Sequence, residues 1–243
     1  MDYYVGTSGW SYAWNPKRSL DWFIENTGLT AVELNASFYH FPSPTSIQTW
    51  SQKGEGLRWA IKVNRLFTHT YRFNQNALDR WRDFYRLFAP LDALVDFYLF
   101  QMPPSITPTA APLIERFAKQ TNLKGRFTLE FRNPEWFKKE WINWAIDSGI
   151  TLVSVDTPDL PRYVFNTSDL VYVRMHGRNA WYAHQYSDDE LQEVASKISR
   201  INPEKAYIFF NNDHAMPKNA RSMLQILNKR EHKKKAIAPA ELF

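Results

Sequence analysis

Cysteine is absent from the 243-residue chain, which excludes disulfide bonds, thiolate catalysis and cysteine-ligated metal sites. Glycine is scarce, with only eight residues, and the sequence contains neither a phosphate-binding loop motif nor a Gly-x-Gly-x-x-Gly fingerprint. No signal peptide and no long apolar run are present, so we expect a cytoplasmic protein without a membrane partner.

The chain also lacks Gly/Ser linkers, low-complexity tracts and internal repeats. We therefore predict one folded domain over residues 1–228, followed by a basic tail over residues 229–243. Five positive charges and one negative charge between residues 229 and 235 account for most of the net charge of +5. Such a tail is typical of a solvated terminus, but it also binds polyanions in a salt-sensitive way, so nucleic acid is kept as a weakly supported partner.

Eight short runs rich in Val, Ile, Phe, Tyr and Thr have the length of strands. They are Tyr3–Ser8, Ala31–Ser37, Arg58–Asn64, Val95–Gln101, Arg126–Arg132, Thr151–Asp156, Leu170–Gly177 and Ala206–Asp213. Most start roughly 24–37 residues apart, which is the size of one strand-loop-helix unit, and each ends in polar residues. We predict an α/β fold, a single-domain (β/α)8 TIM barrel, whose active site lies at the carboxyl ends of the strands.

Helical periodicity fills most of the gaps between these runs. The predicted helices are Leu20–Thr27, Asn76–Leu87, Pro112–Gln120, Pro134–Ser148, Leu191–Ile201 and Ala220–Leu227. Ser187 and Glu190 predict a capping box before the fifth helix. Pro158 and Pro161 predict an irregular connection after the sixth strand.

Strand alternation assigns side chains to the inside of the barrel. The predicted inward pairs are Glu33 with Asn35, Lys62 with Asn64, Glu130 with Arg132, Ser154 with Asp156, Arg174 with His176, and Asn211 with Asp213. The residues between them, Val155 included, are predicted to face the helices. So many ionisable groups around one cavity favour binding and acid-base chemistry over folding alone.

Four of these residues are candidate catalytic groups. Glu130 and Asp156 suit a general acid and base, and His176 would titrate near neutrality. Lys62 suits either a point charge or a Schiff-base amine. The alternative is a purely structural network in which Glu130 pairs with Arg132 or Lys62, and Asp156 pairs with Arg174.

A larger set of residues is predicted to bind the substrate. Arg132 and Arg174 suit a phosphate or carboxylate, because a guanidinium binds oxyanions bidentately. The remaining candidates are Glu33, Asn35, Tyr39, Asn64, His69, Gln101, Asn211, Asn212 and Asp213. Trp10, Trp14, Tyr39 and Trp181 follow strand ends, where aromatic rings serve either as packing or as stacking platforms.

The histidines His69, His176 and His214 are of the right type for a metal site, but no His-x-x-x-His spacing is present. We therefore expect no tightly held metal and no cofactor.

Seven segments at the strand ends resemble one known family. They are Gly6–Tyr12, Val32–Tyr39, Lys62–His69, Gln101–Pro104, Glu130–Trp136, Val173–Gly177 and Phe209–His214. Together they resemble the YecE-like family, domain of unknown function family 72, whose members are TIM barrels. Asn133 and Ala36 stand where the family often has His and Ser. The resemblance implies the barrel but no particular reaction.

Three functions remain open. The first is an enzyme, of hydrolase or isomerase/lyase type, that acts on a phosphorylated, carboxylated or nucleotide-like substrate. The second is a nucleic-acid-binding or processing protein, and the third is a glycoside hydrolase using Glu33 and Glu130. The third requires two carboxylates roughly 5–10 Å apart. The oligomeric state is left open.

Overall fold

Eight parallel strands close into a barrel in the computed structural model, which describes residues 1–237 and side chains through residue 231. Each strand pairs with the next, and β8 pairs with β1. The strands are β1 Asp2–Thr7, β2 Ala31–Leu34, β3 Arg58–Lys62, β4 Val95–Gln101, β5 Phe127–Glu130, β6 Thr151–Asp156, β7 Leu170–Met175 and β8 Lys205–Phe210. The predicted (β/α)8 barrel is confirmed.

Several strands end two or three residues earlier than predicted. Asn35, Asn64, Arg132, His176 and Asn211 therefore lie on the loops directly after their strands. Loops at the carboxyl ends of barrel strands form the mouth, so these polar side chains are still placed around it.

Seven α-helices lie in the described part of the chain. They are α1 Leu20–Thr27, α2 Pro44–Lys53, α3 Gln75–Leu87, α4 Ala111–Thr121, α5 Lys139–Asp147, α6 Asp188–Ile201 and α7 Met216–Ile237. The capping box of α6 is confirmed, with Ser187 and Glu190 bonded reciprocally. The connection between β6 and β7, residues 157–169, is irregular as predicted.

Helix α2 was not predicted from the sequence, and α5 is shorter than predicted. Among the residues of α2 only Ile47 is buried, so its apolar periodicity is weak. The predicted start of α5 at Pro134 is instead a 3-10 turn, because the Asn133 side chain accepts a hydrogen bond from the amide of Glu135 and closes the chain locally.

The barrel interior below the mouth is filled with apolar and aromatic side chains. Tyr172 packs against Phe97 and Phe209, and Tyr207 lies edge-on to Phe97. A larger apolar cluster lies between the barrel and its helices. The interior is therefore a packed core that ends beneath a polar mouth.

The predicted orientation of β6 is wrong. Val153 and Val155 belong to the interior cluster, and Val155 is in register with Arg174 of β7. Paired residues of parallel strands face the same side, so Ser154 and Asp156 point outward. Ser154 accepts a hydrogen bond from the Phe165 amide of the following connection, which holds it on that face.

The last helix continues through the predicted start of the tail. Arg230 donates to the Gln192 side chain of α6, and a Glu231 oxygen lies 3.6 Å from the amino group of Met1. Residues 238–243 of the predicted tail lie outside the described residues, so the division at residue 228 stays a prediction. None of the described helices has the length and apolar character needed to cross a membrane.

Candidate active site

Arg174, the fifth residue of β7, lies fully buried at the centre of the barrel mouth. Its Nε donates to Oε2 of Glu33 at 2.9 Å and its Nη2 donates to Oε1 at 2.5 Å, so the guanidinium binds this carboxylate bidentately. Its Nη1 donates to Oε2 of Glu130. One guanidinium therefore joins β2, β5 and β7 across the mouth.

Glu33 accepts two further hydrogen bonds. The Ser8 hydroxyl donates to Oε1 at 2.8 Å, and the Tyr172 hydroxyl donates to Oε2 at 2.5 Å. Burial, with the adjacent charge of Glu33, raises the pKa of Tyr172 well above its ordinary value, so the phenol keeps its proton and remains a donor. With four donors around it, Glu33 is held in one orientation.

Arg132 binds the other carboxylate from the open side of the mouth. Its Nε donates to Oε1 of Glu130 at 2.5 Å, and its guanidinium lies 4.4 Å from the ring centroid of Trp181. Burial alone would raise the pKa of Glu130, but the charges of Arg132 and Arg174 outweigh it and hold the pKa well below 4.5. Glu33, Glu130, Arg132 and Arg174 are called the inner cluster below.

His176 follows β7 and is fully buried beside the inner cluster. Its Nε2 lies 3.2 Å from Nη2 of Arg132 and 3.4 Å from Nη1 of Arg174. Burial, together with the charges of these two arginines, lowers the pKa of His176 to about 3, so the imidazole is neutral at physiological pH. The other ring nitrogen, Nδ1, lies 3.2 Å from the side-chain amide nitrogen of Asn211.

Lys62 ends β3 and is 7% exposed. Its Nζ lies 4.2 Å from the centroid of the Phe38 ring. Within the described residues Lys62 forms no ion pair, because the carboxylates of the inner cluster are held by arginines. Burial, reinforced by the charge of Arg174, lowers the pKa of Lys62 to about 7.

The charges of the mouth sum to a positive excess. Two carboxylates and two guanidiniums balance within the inner cluster, and His176 is neutral. Protonated Lys62 is therefore the uncompensated charge. In a desolvated site such a charge attracts an anion more strongly than it would in water.

A family model described as "Protein of unknown function DUF72" matches residues 4–242. The chain belongs to the DUF72 family. The resemblance to this family that the strand ends predicted is thereby confirmed. No curated protein matches the chain.

Solved DUF72 structures share the whole barrel. A DUF72 protein from Thermotoga maritima is 25% identical, with a TM-score of 0.81 over 95% of this chain and 100% of that one. One from Enterococcus faecalis is 20% identical, with a TM-score of 0.81 over 93% and 95%. A sugar phosphate isomerase/epimerase from Parabacteroides distasonis is 11% identical, with a TM-score of 0.58 over 96% and 98%, which shows a shared fold alone.

In this DUF72 protein, two predicted substrate-binding amides hold loops at the mouth. Asn35 donates to the backbone oxygen of Ser8 at 3.2 Å. Asn64 donates to the backbone oxygen of Ser37 at 2.9 Å and accepts from the Leu66 amide. These contacts fix the loops after β1, β2 and β3 relative to one another.

Two further predicted residues lie at the rim beside Phe38. The His69 ring lies edge-on to Phe38, with ring centroids 5.3 Å apart. Burial and the charge of Arg65 lower the pKa of His69 to about 4, so this imidazole is also neutral near pH 7. Tyr39 packs edge-on against the same ring and is 62% exposed.

The remaining polar strand ends divide into two groups. Gln101 is in register with Glu130 and so faces the mouth. Asn212 instead donates to the His184 backbone oxygen and the Asn219 side chain, away from the inner cluster. Asp213 is half-exposed in the loop after β8, with its carboxylate 3.3 Å from His214. The structure therefore does not join Asn212 to the inner cluster.

Asp156 requires the largest correction. It was predicted as an acid or base facing the mouth, but it points out of the barrel. There it pairs with Arg178 at 2.9 Å and accepts from the Tyr186 hydroxyl at 3.0 Å, and it does not form the pair with Arg174 that the structural alternative assigned. Arg178 also binds Glu193 of α6 at 2.7 Å. Asp156, Arg178 and Glu193 are called the outer cluster; it ties β6 to α6 and lies on the opposite face of the sheet from the mouth.

Packing explains most of the aromatic residues proposed as platforms. Trp10 is buried against Trp50 and Trp59, and Trp14 stacks on Tyr12. Trp181 covers Arg132. The exposed ring of Tyr39 is thus the one of the four proposed platforms that is most available to a ligand.

Three residues that build the mouth were not predicted from the sequence, namely Ser8, Phe38 and Tyr172. Tyr172 stands two residues before Arg174, so strand alternation could have placed it on the same face. Ser8 lies on a loop and Phe38 in a 3-10 turn, where strand alternation carries no information. Among the described residues, no group of three or more metal-ligating side chains is arranged around one point.

Proposed function

We propose that this DUF72 protein is an enzyme that acts on a small phosphorylated or carboxylated substrate at the barrel mouth. Lys62 and Arg132 bind the anionic group, and Lys62 also transfers a proton. The observation that supports the proposal is the buried ammonium group of Lys62, which has no ion-pair partner in the described part of the chain and lies beside a charge-balanced inner cluster.

Charge explains why the substrate is an anion. Arg132 and Lys62 are the cations of the mouth that keep some exposed surface, at 9% of the side chain and 7% of the residue respectively. Arg174 has none and is held by two carboxylates, so it positions the cluster and does not contact the ligand. An anion beside Lys62 compensates the excess charge and raises the pKa of the ammonium group.

The acid-base properties favour proton transfer by Lys62. A group with a pKa of about 7 exists in both protonation states near neutrality and can therefore act as donor or acceptor. Glu130, whose pKa is held well below 4.5, is a poor acid. An isomerase or lyase type of reaction is thus favoured over glycoside hydrolysis, which needs a carboxylic acid to protonate the leaving group. The fold likeness to a sugar phosphate isomerase/epimerase agrees with this class by analogy only.

Calorimetric titration with sulfate tests the anion site, since the charge of sulfate is constant between pH 6 and pH 9. Wild type is expected to bind sulfate more weakly as the pH rises through about 7, because Lys62 loses its proton. Lys62→Met should weaken binding at pH 6 by about tenfold or more. Lys53→Met is the matched control, because Lys53 is an exposed lysine paired with Asp21.

Equal sulfate affinity in wild type and Lys62→Met at pH 6 would overturn the proposal. A pH-independent affinity in wild type would overturn the role of Lys62 as the titrating group. Phosphate and acetate, measured at one pH, then rank the two anion classes.

A further inference from the structure

A cleft of about 430 Å³ opens beside the mouth, between the loops that follow β1 and β2. Its lining includes four aromatic residues, Trp10, Tyr12, Tyr39 and Trp50, together with the exposed Arg18. This volume lies in the range of small-molecule sites.

Most polar groups around the cleft already have partners. The Tyr12 hydroxyl donates to the Ser8 backbone oxygen at 2.9 Å, and the Asn35 amide donates to the same oxygen. The Ser8 hydroxyl donates to Glu33. Apart from the exposed Ser11 and Arg18 side chains, a hydroxyl-rich ligand would find few free hydrogen-bond partners here, whereas a flat ring would find the exposed side chain of Tyr39.

The Phe38 and Tyr39 rings connect the cleft to the proposed anion site. Phe38 contacts Lys62 on one side, with Nζ 4.2 Å from its centroid. On the other side Phe38 packs edge-on against Tyr39, with centroids 5.1 Å apart. The Phe38 ring is thus the one side chain between the Lys62 ammonium group and the Tyr39 ring.

We propose that the cleft binds a flat aromatic or heteroaromatic ring of the same substrate whose anionic group lies at Lys62. The substrate class is then an aromatic phosphate or carboxylate, and Tyr39 is a specificity-determining residue. This inference rests on the proposed function, but the cleft and the anion site can be tested separately.

The test compares phenyl phosphate with methyl phosphate, which carry the same charged group. Wild type should bind phenyl phosphate about tenfold more tightly, as expected for one stacked ring. Tyr39→Ala should remove most of this preference and leave methyl phosphate binding unchanged. Tyr163→Ala is the control, because Tyr163 is 54% exposed on the irregular connection after β6.

Equal affinity for the two esters in wild type, or an unchanged preference in Tyr39→Ala, would overturn the cleft proposal. If either result is accompanied by loss of methyl phosphate binding in Lys62→Met, the proposed anion site is still supported. Conversely, if Lys62→Met binds both esters like wild type while Tyr39→Ala still removes the preference, the cleft is supported and the proposed function fails.

Discussion

The inner and outer clusters consist of the same residue types, carboxylates and arginines, on opposite faces of one barrel wall. Glu33, Glu130 and Arg174 of the inner cluster have no exposed surface. In the outer cluster the exposed fraction rises from 4% for the Asp156 side chain to 45% for that of Glu193. The same residue types therefore lie in two environments that differ strongly in their exposure to solvent.

The difference shows which ionic clusters mark a site. The carboxylates of the outer cluster are neutralised by Arg178 and, at Glu193, by Lys197. The cluster ties the loop after β7 to α6, which is a structural task. The inner cluster also neutralises itself, but it surrounds an open mouth and leaves Lys62 without a counter-ion among the residues that the structure describes. The unpaired cation, and not the number of charges, is what points to a ligand.

The largest effect is expected from Arg174→Ala. This change leaves two buried carboxylates without their shared cation, so the free energy of unfolding at pH 7 should fall by about 5 kcal/mol. Urea unfolding measures it. The deficit should shrink as the pH falls, because a buried carboxylate that has lost its cation becomes neutral when it takes up a proton.

Arg178→Ala in the outer cluster is the matched control. Arg178 is partly exposed, so its loss should cost less than that of Arg174. A larger loss in Arg178→Ala than in Arg174→Ala would break the distinction between the two clusters.

The contrast between these clusters also shows what the sequence could and could not predict. Strand spacing and polar strand ends predicted the barrel and brought Glu33, Glu130 and Arg174 together. Asp156 was misplaced because Leu152, Val153 and Val155 make β6 apolar on both faces, so alternation gave no orientation.

Which charged residues form ion pairs is harder to predict from a sequence than which residues lie at the mouth. Arg174 binds Glu33 from 141 positions away in the chain, and Asp156 finds Arg178, which lies in a loop. Whether Lys62 is paired depends on all of these contacts together, so its lowered pKa could not be predicted from spacing.

Lys62→Met should stabilise the protein, with the next largest effect. Unfolded lysine titrates near 10.5 and Lys62 in the folded protein near 7, so the unfolded chain binds more protons between these values. Wild-type stability should therefore gain from Lys62 as the pH rises from about 7 to about 10.5. At pH 6 the variant should be more stable by roughly 2–4 kcal/mol, and the gap should close towards pH 10.

Urea unfolding of both proteins across this pH range measures the gap, and taking the difference cancels the other titrating groups. A Lys62→Met protein that is less stable than wild type at pH 6 would mean that Lys62 has a counter-ion in solution. The charges at the mouth would then all be paired, as they are in the outer cluster.

Asp156→Asn should destabilise the protein by about 1–3 kcal/mol, because a charged acceptor of Arg178 and Tyr186 is replaced by a neutral one. Sulfate affinity should stay unchanged, since Asp156 lies on the outer face of β6. Unfolding and calorimetry on the same sample measure both quantities. A clear loss of sulfate binding at unchanged stability would indicate that Asp156 faces the mouth, and it would contradict the register of β6 with β7.

Glu193→Gln should have the smallest effect. Glu193 bridges Arg178 and Lys197 at 2.7 Å each, but nearly half of its side chain is exposed. Solvent and side-chain entropy offset most of the attraction in such a pair, so the free energy of unfolding should fall by less than about 1 kcal/mol. The deficit should disappear at 1 M salt, where exposed charges are screened, while the Arg174→Ala deficit persists. If salt removes both deficits equally, the inner cluster is solvated like the outer one, and burial is not what separates them.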